Sequence, residues 1–182
     1  MLSNRTRYIF LVLILFSLFL ALAIPGRRSI LKQHERVRLE NCYYPLLYQI
    51  FIYNSKYNTF PDCLEDLTKK RLIKSLPDGE HIEDFKLDYK RTINGFALTC
   101  SGKYMKFEHD NCLNEMYIML AKNKQITDSI QYIVIRPYNE NEWYISFLLK
   151  NGLKKDSIIN ECEKYKLEVK KNTGFTIHFE IL

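Results

Sequence analysis

Glycine is scarce, with six residues in a chain of 182. Phosphate-cradling loops need closely spaced glycines, and neither a P-loop nor a Rossmann fingerprint can be read anywhere; GxSxG and HExxH are missing too. Proline is equally sparse, at five. No low-complexity linker divides the chain, and no internal repeat organises it. No run of five basic residues occurs, although 27 Lys and Arg face 21 acids. Charge scattered in this way argues against a nucleic-acid-binding arm, while the net +6 suits a chain working near an anionic surface. The five cysteines include no CxxC pair, so the spacing of a zinc site is absent.

What the chain does have is hydrophobic residues (47%), with thirteen Tyr and eleven Phe, enough for an aromatic core. It also has one long apolar run. Residues 8–24, YIFLVLILFSLFLALAI, are 17 positions with one hydroxyl (Ser17) and no charge. That is the short edge of a bilayer-spanning helix, and in hydrocarbon a helix satisfies every backbone donor and acceptor locally. The reading is an uncleaved signal-anchor; the alternative is a secretory signal peptide cut after Ala23, in Ala21-Leu22-Ala23. A core helix of a soluble domain fits poorly, because nothing polar marks a solvent face. The remainder of the chain is expected outside the cytoplasm. The positive-inside rule pulls the other way, setting Arg5 and Arg7 against Arg27, Arg28, Lys32, Arg36 and Arg38.

Beyond the breaker Pro25-Gly26, residues 27–38 read as an exposed helical continuation or a flexible stalk. Leu39, Tyr43, Leu46, Ile50, Tyr53 and Tyr57 then recur at steps of four and three, one apolar helix face. Pro45 is expected to kink that helix or start a new one. Asp62 reads as an N-cap, with Glu65 completing a capping-box-like pair, for a helix over 63–73. Leu76-Pro77-Asp78-Gly79 makes a turn. Strands follow at 85–90 and 96–100, joined across Asn94-Gly95, with a third at 103–107. A short helix spans 113–122. The last third reads as a β-β-α-β unit: a strand at 130–136 stopped by Pro137, a second at 143–149, a helix from Asp156 to about Lys170, and a final strand at 175–181.

Residues 42–109 resemble the head region of type IV pilin-like proteins and type II secretion pseudopilins. The resemblance rests on Cys42-Tyr43-Tyr44 with Leu47, Ile50 and Tyr53, then Tyr57-Asn58-Thr59-Phe60-Pro61. It continues through Leu64, Leu67, Leu72-Ile73 and Leu76-Pro77, and ends on residues 95–102, GFALTCSG. It implies an apolar N-terminal helix continuing into an amphipathic one with a small antiparallel sheet packed on it. The chain departs from the family at its start: Gly26 follows the apolar run instead of ending a leader before it, and the run holds no glutamate. In an extracytoplasmic domain one or two disulfides can form, with Cys42 and Cys100 the candidate pair and one thiol left over; in the cytoplasm the cysteines read as small core residues. The unit 127–182 has a fainter likeness to the small C-terminal lobe of phenylacetate–CoA-ligase-like proteins, whose large nucleotide-binding domain has no counterpart here.

Chemistry leaves little trace. His81 stands with Glu80, Glu83 and Asp84 in an acidic loop that offers hard oxygen ligands but lacks the spacing of a calcium loop. His109, near Cys112 and Cys100 in sequence, reads as part of a surface turn. No catalytic, cofactor-binding or metal-ligating residue is assigned, and a non-enzyme acting in binding or assembly is the better reading; the alternatives are a small secreted or membrane-anchored enzyme and a cytoplasm-facing accessory subunit of a membrane complex. Tyr43, Tyr48, Tyr53 and Trp143 are the candidate contact rings. The expected architecture is α+β: a basic flank and transmembrane helix (1–26), a pilin-like head (27–109), a connecting helix or loop (110–126) and a β-β-α-β module (127–182). Expected partners are the bilayer, through residues 8–24, other membrane or envelope proteins, and a second copy of the chain; nucleic acid is not among them.

Overall fold

The computed structural model describes residues 4–93, 95–139, 142–150, 156–173 and 176–181. One helix, α1 (Asn4–Tyr57), runs for 54 residues, about 80 Å at 1.5 Å per residue. It passes through Pro25-Gly26 and through Pro45 without ending, which corrects the expected break at the first pair; of the two expectations at Pro45, a kink or a new helix, the new helix does not occur. A proline costs the helix one hydrogen bond. Long flanking runs of helix-forming residues (Leu, Ala, Arg, Lys, Glu) hold the backbone on both sides.

The chain then forms α2 (Glu65–Lys69) and an antiparallel sheet, β1 (Lys86–Thr92), β2 (Gly95–Ser101) and β3 (Lys106–Glu108), in the order β1-β2-β3. Thr92 pairs with Gly95 across a two-residue connection whose first member, Ile93, is fully exposed. The second, Asn94, lies outside the described residues. A 3-10 turn (Asn111–Leu113) leads into α3 (Asn114–Lys122) and α4 (Lys124–Ser129). The second sheet contains β4 (Ile130–Asn139), β5 (Glu142–Leu149) and β6 (Thr176–Ile181), with α5 (Asp156–Thr173) between the last two strands. β5 pairs antiparallel with β4 and parallel with β6. The α+β class, the long helix and two three-stranded sheets agree with expectation.

Two local readings are corrected. The helix expected over 63–73 is only five residues long, and Asp62 does not cap it. The Asp66 carboxylate instead turns back to accept from the backbone N–H groups of Asp62 (3.2 Å) and Cys63 (3.3 Å). Arg71, at φ 56°, then ends the helix: its N–H donates to the Thr68 carbonyl and that of Leu72 to Leu67, the pairing of a Schellman motif. Pro137 does not stop β4, which continues to Asn139. β4 is an edge strand, where a missing N–H can face away from the ladder.

A single core joins the two sheets. Leu39, Tyr43, Leu46, Ile50 and Phe51 of α1 are buried against Phe96, Leu98 and Cys100 of β2 and Met116, Tyr117 and Leu120 of α3. The same cluster continues into Ile133 and Ile135 of β4, Ile145 and Phe147 of β5, and Cys162 and Tyr165 of α5. Phe51 and Tyr117 stack at 4.7 Å, and the Tyr165 hydroxyl donates to the Met116 carbonyl at 2.9 Å, tying α5 to α3.

Candidate functional site

Two regions of α1 differ sharply in surroundings. At 12–16, Val, Leu, Ile, Leu and Phe each expose more than half of their surface. A helix turns in 3.6 residues, so five in succession leave no sheltered face. The side chains at 8–11 and 18–24, the rest of the apolar run, lie outside the described residues. Among the described residues no helix is long and apolar enough to cross a membrane. Residues 26–34 are exposed as well, as a continuation of the helix; the first buried position beyond them is an acid, Glu35.

Glu35 is where the folded body meets the helix. Its Oε1 accepts the backbone N–H groups of Tyr104 (2.7 Å) and Met105 (2.9 Å) in the β2–β3 turn. Two charge-assisted bonds compensate a carboxylate removed from water. Gly102 makes the approach possible, since a Cβ there would stand 2.7 Å from Oε1. The same turn is tied back by Gly102 N–H to the Met105 carbonyl and by Lys103 N–H to the Glu83 carbonyl. One turn further along α1, the Arg38 guanidinium donates to the His81 carbonyl. Sequence reasoning missed Glu35 by reading 27–38 as solvated. The available signal was its position four residues before Leu39, on the apolar stripe.

A cleft of about 430 Å³ lies farther along, lined by Tyr48, Ser55 and Lys56 of α1 with Arg71, Asp128 and Lys150. Lys150 is committed, its Nζ donating to the carbonyls of Thr127 (3.0 Å) and Asp128 (2.9 Å) at the end of α4. The Tyr48 hydroxyl is buried and has no hydrogen-bond partner among the described residues. Burial raises its pKa, with Asp128 adding to the effect. It is therefore a neutral donor at physiological pH. The cleft offers hydrogen bonds and positive charge, and its Ser55 and Thr127 hydroxyls donate to the Ile52 and Lys124 carbonyls.

The candidate contact rings lie in or against the core. Tyr43, Tyr48 and Tyr53 are buried, Tyr43 against Tyr44 and Phe107 and Tyr53 against Tyr57, while Trp143 is half-buried on the same cluster. Spacing that puts rings on one helix face also puts them under a sheet. Cys42 and Cys100, the candidate disulfide pair, are both free thiols in the structure. Burial raises both pKa values, pushing Cys100 to about 12, and disulfide exchange needs a thiolate. Cys63 is a free thiol as well.

His109 is not a surface-turn residue. Its ring stacks on Phe96 at 4.5 Å and 4°, and Nε2 lies 2.6 Å from the Asn114 Oδ1. Burial holds its pKa below the usual imidazole value, against the opposing pull of Asn114 and Asp110. In the acidic loop, Glu83 is engaged by the Lys103 ammonium (2.6 Å) and Glu80 by His81 (3.3 Å). Among the described residues no three His, Cys, Asp or Glu side chains gather as a metal site. No protein-family model matches the chain, and neither the curated proteins nor the solved structures contain a match to it.

Proposed function

We propose that the chain is a membrane-anchored, non-enzymatic envelope protein whose head, of pilin-like architecture, acts in binding or assembly. One observation carries the reading. A single helix holds its apolar 12–16 segment bare on every side, while its other half is buried in a folded body. An all-round apolar helix belongs in a core or in lipid, and no part of the described body covers this one. The antiparallel β1-β2-β3 sheet packed on the amphipathic half supports the pilin-like part of the reading. The apolar run at residues 8–24 holds no glutamate, so the proposal is an anchored head, with filament entry left out.

The test is flotation of the full-length chain with phosphatidylcholine vesicles, followed by extraction at alkaline pH. An anchored chain floats and resists extraction; recovery in the soluble fraction overturns the proposal. Reporter fusions at Leu182 decide the side of the head. An extracytoplasmic head fits an envelope role, and a cytoplasmic one, which the basic residues after the run favour, makes the chain an accessory subunit facing inward.

A further inference from the structure

The helix turn just beyond the apolar run faces the underside of the β2–β3 turn. Arg28, Lys32 and Glu35 stand at i, i+4 and i+7, one stripe of α1. Glu35 bolts the turn to that stripe through the Tyr104 and Met105 amides. Lys103 and Tyr104 are thereby held over Arg28 and Lys32. Between them lies an open cleft of about 640 Å³, lined by Arg28, Ser29, Lys32, Lys103 and Tyr104.

Three of its five lining residues are cationic and none is acidic. Two carboxylates approach it from outside. Glu83 is taken up by Lys103 at 2.6 Å, and Glu35 is sealed beneath the turn. Arg28 and Lys32 make no ion pair among the described residues and remain exposed. We propose that this cleft holds the phosphate headgroup of an anionic glycerophospholipid, gripped by Arg28 and Lys32 beside the Tyr104 ring. The inference rests on the anchored reading above and names the partner of its first extramembrane turn.

Depth selects the lipid over a free anion. Arg28 is four residues beyond Ile24, about 6 Å along the axis, and Lys32 about 12 Å. The headgroup layer of one leaflet is about 5–8 Å deep. Arg28 therefore sits within that layer, and the long Lys32 side chain reaches back to it. Tyr104 brings the kind of ring that favours a bilayer interface. Ile30 and Leu31, exposed on the same turn, suit that boundary better than bulk water.

The experiment reconstitutes the full-length chain in phosphatidylcholine bilayers with trace nitroxide-labelled phosphatidylglycerol or phosphatidylcholine. The motionally restricted fraction gives the relative association of the two lipids. Each cation at an anionic headgroup is worth about fivefold in affinity. The wild-type chain should prefer phosphatidylglycerol several-fold at low salt. Arg28→Gln with Lys32→Gln should abolish the preference at unchanged thermal stability, whereas Arg28→Lys should keep most of it. Equal binding of both lipids by the wild-type chain overturns the inference. So does an equal loss from Arg27→Gln, which would mark a diffuse field, and so does displacement by inorganic phosphate at matched ionic strength, which would mark a free-anion site. A chain that never enters the bilayer overturns the anchored reading itself, and this inference with it.

Discussion

Glu35 and Gly102 act as one device, because the carboxylate reaches the Tyr104 and Met105 amides only across a position without a Cβ. Gly102→Ala would set a methyl 2.7 Å from Glu35 Oε1 and 2.8 Å from Ile82 Cγ2, and should cost about 2–3 kcal/mol by pulling the buried acid from its donors. Glu35→Ala should cost a similar amount, and the double variant much less than the sum, since both remove the same bonds. Chemical denaturation of the four proteins checks this; additive losses would mean that the two residues act separately. Tyr48 argues the opposite case. Its buried hydroxyl has no partner among the described residues, so Tyr48→Phe should leave stability unchanged or raise it by about 1 kcal/mol. A drop of that size in the melting experiment would refute the account of this side chain. His109 carries a pH dependence. Burial lowers its pKa in the folded chain, while the unfolded chain binds a proton near the ordinary value of about 6.5. The unfolded state thus binds more protons in that range, and stability rises with pH. The contribution is complete above about pH 6.5 and declines as pH falls from there through the lower folded value. Melting temperatures from pH 7.5 to 5 should show the fall, and His109→Gln should flatten it; an unchanged slope in the variant would assign it elsewhere.

At the scale of elements, Arg71 is the place where local backbone and residue type disagree. It occupies the left-handed position of the Schellman motif that ends α2, where a side chain costs about 1–2 kcal/mol relative to glycine. Arg71→Gly should therefore stabilise the chain by about 1 kcal/mol after the extra unfolded-state entropy of glycine is subtracted; a lower melting temperature would show that the guanidinium makes a stabilising contact. The strands and α5 were legible because each carries its period on its own: alternation at 143–149, and the i, i+3, i+4 stripe that includes Cys162 and Tyr165. The elements misread were those decided by neighbours. Pro25-Gly26 is a strong local stop, but α1 continues across it. Asp62 and Glu65 have the spacing of a capping box, but Asp66 takes the two amides and the helix lasts five residues. α4, six residues of mixed polarity, is too short to show a period. Glu35 was hidden because its partners are backbone groups about 70 positions away, and no side-chain pattern records those. The rings at 43, 48 and 53 carried a true helical signal whose meaning, core or contact, depended on the sheet that covers them.

At the scale of the molecule, the body and the bare end of α1 are separable in physical terms. Among the described residues, burial in α1 begins at Glu35 and Leu39, and the buried face joins both sheets in one core; none of the described core lies before residue 35. A chain starting at Arg27 keeps Glu35, Arg38 and every α1 residue of that core, and loses the apolar run entirely. It should remain monodisperse in detergent-free buffer and melt at the temperature of the full-length chain in detergent. The full-length chain should aggregate in the same buffer, because the apolar side chains at 12–16 are exposed and each buried apolar side chain is worth about 1.5–3 kcal/mol relative to its exposed state. Light scattering on the two proteins, with and without detergent, decides the matter. Monodisperse behaviour of both would mean that residues 8–24 fold back on the body; aggregation of both would place the uncovered apolar surface on the head itself, where exposed Val37 and Leu167 would be the first residues to replace.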